Sequence, residues 1–352
     1  MNKEALDISR QYLNYLDPKM ESSSVTDRKH GNCSHDVSII IPCYNSEKYI
    51  EDCLYSVLGN KGRYDIQVIA IDDGSTDSTG NLLNKYSADS RVTVIHQENK
   101  GFSGARNTGL DNADAKYVFF LDSDDIIFQG ALDVLIEEAE KTDADIIEGK
   151  MISFGIDGIP VSQHTDKTES IRIEKKDVEG YMCGKLFKSA LFDNICFPQG
   201  YWYEDGILPY LILPRAERIY RNCVPTYAYR SNPEGITSKS QGNPKSIDAY
   251  WLREVFFSDM DKLGIKIDRF IYEQLIDEIA LTFVRTSELG ENVNVAIFYL
   301  TAEWFADLNL RFTSENRFHS ILEKALSAGD YDSYKKGCEI AWNGKLVGLN
   351  KR

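Results

Sequence analysis

Four short apolar runs punctuate the first third of the chain. VSIIIP (37–42), IQVIAID (66–72), VTVIH (92–96) and YVFFLD (117–122) are rich in β-branched and aromatic residues. Continuous runs of this length fit strands covered on both faces, as in a parallel sheet. Between them, apolar residues recur at helical spacing. Tyr49, Ile50, Cys53, Leu54, Val57 and Leu58 predict a helix after the candidate cap Asn45-Ser46. Leu82, Leu83 and Tyr86 predict a second after Asp77-Ser78, and a third is expected from about Ser103 to Asn112. Alternating strands and helices imply right-handed βαβ units, whose ligands sit beyond the carboxyl ends of the strands.

The rest of the chain reads differently. Ile8, Tyr12, Leu13 and Leu16 share one face of a short N-terminal helix, and ESSSVTDRKHGNCSHD after it is polar and aperiodic, as in a linker. Residues 150–180 are less regular, and 181–238 are aromatic and Pro-punctuated. From about residue 243 the pattern is mostly helical (YWLREVFFSDM, FIYEQLIDEIALTFV, NVAIFYLTAEWFADLNL). The expected domains are an extension and linker (1–36), an α/β domain (37–240) and a C-terminal helical region (241–352).

Charge narrows the function classes. The 352 residues carry 40 Lys+Arg against 55 Asp+Glu, a formal charge of −15. That balance argues against broad nucleic-acid binding, which needs dense basic residues, and against a largely electrostatic membrane anchor. Seven cysteines without a CxxC pair read as reduced thiols. The first residues have no apolar signal segment and no run of 18 apolar residues occurs, so a cytoplasmic protein, at most peripheral at the inner face of the membrane, is expected.

The four strand exits carry the candidate chemistry. Asp122-Ser123-Asp124-Asp125 puts three carboxylates within four residues, which suits a hard divalent ion such as Mg²⁺ or Mn²⁺ shared with substrate phosphates. The same residues also suit a helix N-terminus. Asp72-Asp73-Gly74-Ser75 is either a turn or a pair of acceptors for a nucleobase imide and ribose hydroxyls. Gly101, Gly104 and Gly109 allow a diphosphate close to a helix N-terminus, although neither GxGxxG nor a Walker lysine is present. Arg106 fits a phosphate contact, a brace for the acidic loop or a structural ion pair.

Together, VSIIIPCYNSEKYIEDCLYSVL, IQVIAIDDGSTDST, VIHQENKGFSGARNTGL and YVFFLDSDD resemble glycosyltransferase family 2 over residues 37–125. The resemblance implies the GT-A fold, a Rossmann-like, mostly parallel sheet with flanking helices, here followed by the helical region. It makes 37–125 the nucleotide-sugar half and 126–240 the acceptor half. It implies uridine contacts at Pro42, Tyr44, Asn45 and Asp73, with Asp72 beside them, and extends the donor-binding set to Gly101, Arg106, Asp122 and Ser123. Asp122 and Asp124, with Asp125 as an additional ligand, would hold Mn²⁺ or Mg²⁺. CGKLFKSALF (183–192), FPQGYWYEDGILP (197–209) and YAYRSNPEGIT (227–237) are similar to the family's second half. They imply a catalytic base at Asp205, with Glu204 as its substitute, although Gly206 departs from the family pattern.

Trp202 and Tyr203 are candidates for stacking on an acceptor sugar or for core packing. Lys185 is a candidate for acceptor or phosphate contact or a paired lysine. The implied activity is inverting, metal-dependent transfer of a hexose from a UDP-sugar to a hydroxyl of a glycan, or of a lipid- or protein-linked sugar, in bacterial surface-glycan synthesis. Contacts of the C-terminal helices with acceptor, membrane face or a second subunit are compatible with it. The alternatives are a sugar nucleotidyltransferase, although PCYNSEKY lacks its Gly-rich basic loop, and a non-catalytic nucleotide-sugar-binding module.

Overall fold

The computed structural model describes residues 3–31, 33–60, 62–155, 170–232, 240, 242–308 and 312–349. The chain divides into two compact units, residues 22–200 with 204–233, and residues 1–21 with 201–203 and 234–352. Part of YAYRSNPEGIT, from residue 233 on, lies outside the described residues.

The first unit is built on one mixed sheet. β1 (His35–Cys43), β2 (Ile66–Asp73), β3 (Val92–Gln97) and β4 (Ala115–Phe120) run parallel in the order β3-β2-β1-β4. These are the four apolar runs, and β1 is buried from Val37 to Cys43 because both its faces are covered. β5 (Ile126–Ile127), β6 (Ile146–Phe154), β7 (Ser170–Arg172), β8 (Lys185–Lys188) and β9 (Ile219–Arg230) continue the sheet. β8 pairs antiparallel with β4 and β6, and β6 pairs parallel with β9. β5 and β7 pair antiparallel with β9.

β9 is the element the sequence hides. Its 12 residues include Pro225, and the β6–β9 register shifts at Lys150, which lies opposite that proline. Pro cannot donate to the ladder, so the irregularity falls there and breaks the alternation that would mark a strand.

Four helices flank the parallel strands: α2 (Ile50–Leu58), α3 (Thr79–Asn84), α4 (Gly101–Asp111) and α5 (Ala131–Thr142). Ile39, Ile41, Val68, Leu54, Val57, Phe119 and Leu135 belong to one core cluster. On β4, Phe120 meets Phe187, Phe192 and Phe197 edge-on at centroid distances of 5.5–6.2 Å. α4 lies close to β1 because Gly109 has no side chain there. The polar stretch after residue 21 is tied down rather than loose, as Thr26 and Cys196 N–H donate to Asn194 O and Ser24 O.

The second unit is helical. α1 (Lys3–Leu16) packs with α6 (Asp248–Lys262), α7 (Arg269–Thr286), α8 (Glu291–Asp307), α9 (Ser320–Ala328) and α10 (Tyr331–Leu349). The N-terminal helix is therefore not a free appendage. Arg10 and Lys19 pair with Glu254 at 2.9 and 2.7 Å, and the buried Trp251 Nε1 donates to Asp17 O at 2.9 Å. Among the described residues, no helix is long and apolar enough to cross a membrane, and all seven cysteines are free thiols.

A Cβ added at Gly109 would lie 2.3 Å from Ile40 Cγ2. Gly109→Ala is therefore expected to destabilise the fold by about 1–3 kcal/mol through overpacking. Urea denaturation measures this, and an unchanged midpoint would refute the close packing of α4 on β1.

Candidate functional site

The parallel strands end together, and hydrogen bonds tie their exit loops into one site. After β1 the chain turns at Asn45, whose φ is +50°. Asn45 is thus not the cap expected for α2, which begins five residues later. Its Oδ1 accepts from the Thr76 N–H at 2.8 Å, and its own N–H donates to Ser75 Oγ at 3.1 Å. Ser46 N–H donates to Thr79 Oγ1 at 2.7 Å, while the Ser46 and Ser123 hydroxyls meet at 2.7 Å. Pro42 is buried at the end of β1, and Tyr44 beside it is 48% exposed. The loops after β1, β2 and β4 are thereby cross-braced.

The two adjacent aspartates at the end of β2 face opposite ways, as strand pleating requires. Asp72 pairs with His96 Nδ1 at 2.8 Å and accepts the Ser75 N–H at 3.0 Å, while His96 Nε2 reaches Asn84 of α3. Burial pushes the Asp72 carboxyl up, but the bonds from Ser75 and His96 outweigh it and hold the group below its ordinary value. Asp73 accepts instead from Gln97 Nε2 at 2.6 Å and from the Lys100 N–H at 2.9 Å. At Gly101, which opens α4, φ is +72° and a Cβ would meet nothing within 4 Å.

Arg106, on α4 and 4% exposed, joins two distant stretches of sequence. One guanidinium nitrogen donates to Asp122 Oδ1 at 3.1 Å, and the other pairs with Glu204 and lies 3.9 Å from Asp205 Oδ1. Burial alone would disfavour its charge, but Glu204, Asp122 and Asp205 more than compensate. Asp205 sits on a single turn, Glu204–Gly206. Its side chain is 38% exposed, yet Oδ1 is shut off from solvent without a hydrogen-bond donor. Burial raises its pKa to about 7, with Arg106 opposing and Glu204 and Asp122 adding.

The three acidic residues after β4 have different surroundings. Asp122 is held by Arg106. Asp124 Oδ2 accepts from Asn232 Nδ2 at 3.0 Å, and burial raises its pKa against that bond. Both oxygens of the fully buried Asp125 are occupied: Oδ2 by the Tyr227 hydroxyl at 2.6 Å and Oδ1 by the Arg230 N–H at 2.7 Å. Burial, with Asp122 adding, raises the Asp125 pKa to about 8. Tyr227 OH also accepts the Asp122 N–H at 3.2 Å, and Arg230 Nε donates to Asp124 O at 2.7 Å. The Arg230 guanidinium lies between the Tyr49 and Phe154 rings, 4.9 and 4.7 Å from their centroids. The end of β9 thus grips the whole acidic loop. The sequence reading missed Tyr227, Arg230 and Asn232, whose only signal was their place in YAYRSNP.

Among the described residues no ready-made cage of three His, Cys, Asp or Glu side chains occurs. Asp122 and Asp124 each keep one oxygen without a protein donor there. That set fits a hard ion completed by substrate phosphates, whereas Asp125 is committed to the loop.

The remaining candidates lie elsewhere. Lys185 is fully buried, 3.3 Å from Glu148, and donates to Tyr181 O at 2.6 Å. It joins β8 to β6, so the paired alternative is the one observed rather than an acceptor contact. Trp202 and Tyr203 belong to the helical unit. There Trp202 N–H donates to Asp248 at 2.7 Å, and Arg285 lies 3.8 Å from the Tyr203 ring centroid.

Comparison with known proteins shows what these features resemble. Residues 38–195 match the model of "Glycosyl transferase family 2". The chain is 27% identical over 305 residues to glycosyltransferase GlyA of Streptococcus pneumoniae, covering 80% of this chain and 43% of that protein. It is 30% identical over 303 residues to the poly(ribitol-phosphate) beta-glucosyltransferase of Bacillus spizizenii, covering 82% and 46% respectively. The chain thus spans less than half the length of these two relatives. Among solved structures, residues 1–349 of S. aureus TarS in complex with UDP-GlcNAc align with a TM-score of 0.57. That likeness covers 88% of this chain and 92% of the other at 20% identity, and it is one of fold. The fold is GT-A with C-terminal helices, as the motif resemblance implied.

The grip of β9 on the acidic loop has a measurable cost. Tyr227→Phe removes the donor to a buried carboxylate and is expected to lower stability by about 1–3 kcal/mol. Chemical denaturation tests it; a loss well below that range would mean that Asp125 does not depend on the hydroxyl.

Proposed function

We propose, from the match of residues 38–195 to the glycosyl transferase family 2 model and from the site geometry, that the chain transfers a sugar from a UDP-sugar to an acceptor hydroxyl with inversion. The observation that carries the proposal is the Arg106 bridge. It brings the acidic strand exit and the Glu204-Asp205 turn into one buried network at the carboxyl ends of parallel strands. Such a network joins a donor-phosphate site to a proton acceptor, and a mere binding module has no need of the second part.

In this reading Tyr44, Asn45 and Asp73 line the nucleotide site, with Asp73 accepting an imide N–H. Asp72 contributes indirectly, by fixing the loop through Ser75. A divalent cation bound through Asp122 and Asp124 would offset the negative charge of the donor diphosphate. Asp205 takes the acceptor proton as the new bond forms. A base with a pKa near the working pH combines a useful ionised fraction with real proton affinity. Arg106 holds the base turn in place through its ion pair with Glu204. Attack opposite the leaving group inverts the anomeric carbon, and no covalent sugar–enzyme bond is needed.

The B. spizizenii relative is named for transfer to a polyol-phosphate polymer, and TarS has been solved with UDP-GlcNAc. These names support a UDP-hexose donor and a bacterial surface-polymer acceptor. A panel of UDP-sugars with Mn²⁺, scored by UDP release, identifies the donor. Release of pyrophosphate from UTP and a sugar phosphate would instead favour a nucleotidyltransferase.

Asp205→Asn is expected to bind UDP as the wild type does while transfer falls by about 10²–10⁴-fold. Wild-type transfer by this variant would move the base elsewhere, first to Glu204. Since the base must be ionised, wild-type kcat/KM should fall about tenfold per pH unit below about 7, in line with the raised Asp205 pKa. A rate flat from pH 5 to 8 would contradict that assignment.

Asp124→Ala should abolish Mn²⁺-dependent transfer without lowering the melting temperature, because it removes a buried carboxyl that is only partly satisfied. Full activity in this variant would exclude Asp124 as a cation ligand.

A further inference from the structure

The register at the sheet edge places Gln97 opposite Asp73, on the face away from Asp72 and His96. Gln97 Nε2 donates to Asp73 Oδ1 at 2.6 Å, and the Lys100 N–H donates to the same oxygen at 2.9 Å. A carboxylate can only accept, so the amide nitrogen of Gln97 must be the atom facing it. The amide oxygen accepts from Thr108 Oγ1 of α4 at 2.7 Å, which locks the amide against flipping. Two groups are then left over. Asp73 Oδ2 accepts no hydrogen bond among the described residues, and Gln97 Nε2 carries a second N–H.

We propose that Gln97 is the residue that selects the nucleobase of the donor. The claim rests on Asp73 being the nucleotide contact argued above. An acceptor beside a donor complements the edge of uracil, where N3–H lies between two carbonyls. Asp73 Oδ2 takes N3–H, and the second N–H of Gln97 meets an adjacent carbonyl. Cytosine presents a lone pair at N3, which repels the carboxylate. Guanine offers the same pattern, N1–H beside the O6 acceptor, so the contrast this pair of residues sets is uracil against cytosine. Selection of this kind is strong because the wrong base leaves polar groups of the site unpaired.

Calorimetric titration of the full chain with UDP, CDP and GDP in Mn²⁺ tests the inference. Wild type should bind UDP more tightly than CDP. Gln97→Met keeps the length but loses both N–H groups. It is expected to weaken UDP about tenfold, the scale of one lost hydrogen bond, and to leave CDP unchanged. Thr108→Val separates recognition from bracing: it removes the hydroxyl but leaves the Gln97–Asp73 bond, so the UDP-to-CDP ratio should stay within about threefold of wild type. If Gln97→Met fails to fold, Gln97→Asn, with the amide drawn back by one methylene, should narrow the ratio in the same way. An unchanged ratio in a folded Gln97 variant overturns this inference and leaves UDP use intact. A wild-type protein that binds no UDP, or prefers GDP, overturns the nucleotide reading beneath it.

Discussion

One buried guanidinium organises the site. Arg106 is almost without solvent contact and is neutralised by Asp122, sixteen residues along the chain, and Glu204, ninety-eight residues along. Burying a charge is tolerable only when partners replace its water, and removing one partner leaves an uncompensated charge in the interior. The carboxylates therefore cannot drift apart without exposing that cost. The Glu204–Gly206 turn has no regular element to position it, being one turn long, and its Glu204 is anchored through this pair.

The same principle differentiates the three aspartates that follow β4. Sequence proximity makes them look equivalent, but partners decide what each can do. Asp125 lies deepest and is satisfied by Tyr227 and the Arg230 N–H, so it holds the loop to β9. Among the described residues, Asp122 and Asp124 each give one oxygen to a side-chain donor and keep the other. Arg230 adds a second buried guanidinium, whose contacts are the Asp124 carbonyl, Asp52 at 3.4 Å and two aromatic faces. Arg106 binds carboxylates across the site, whereas Arg230 shapes the loop that carries them.

The strands were legible because a sheet covered on both faces demands uninterrupted apolar runs, and each of the four runs became one parallel strand. The strand exits were legible for the topological reason that parallel strands deliver their ends to one side. What was not legible depends on long-range pairing. Nothing local marks Tyr227 as the partner of Asp125, 102 residues away. Pro225 concealed β9, which carries Tyr227 and Arg230. Asn45 resembled a helix cap because asparagine suits both caps and left-handed turns, and only the bond to Thr76 distinguishes them. The opposed directions of Asp72 and Asp73 follow from strand pleating alone, but which of the two faces α4 required the packed structure.

Local charge links the acidic loop to an anionic donor. Around Arg106 and Arg230 the site gathers Asp122, Asp124, Asp125, Glu204 and Asp205, five carboxyl groups against two guanidinium groups. Burial and mutual repulsion already push Asp124, Asp125 and Asp205 toward protonation. A diphosphate entering this region would add negative charge that opposes ionisation of these carboxyls, and both guanidinium groups are already engaged. In the proposed reading a cation arriving with the substrate would supply neutralisation, and the oxygens of Asp122 and Asp124 that have no donor among the described residues are hard ligands for it. In that reading donor and cation binding would be linked, because each relieves the charge that opposes the other. A cation at Asp122 would also offset the negative charge that raises the Asp205 pKa, so ionisation of the proposed base would be coupled to occupation of the proposed donor site.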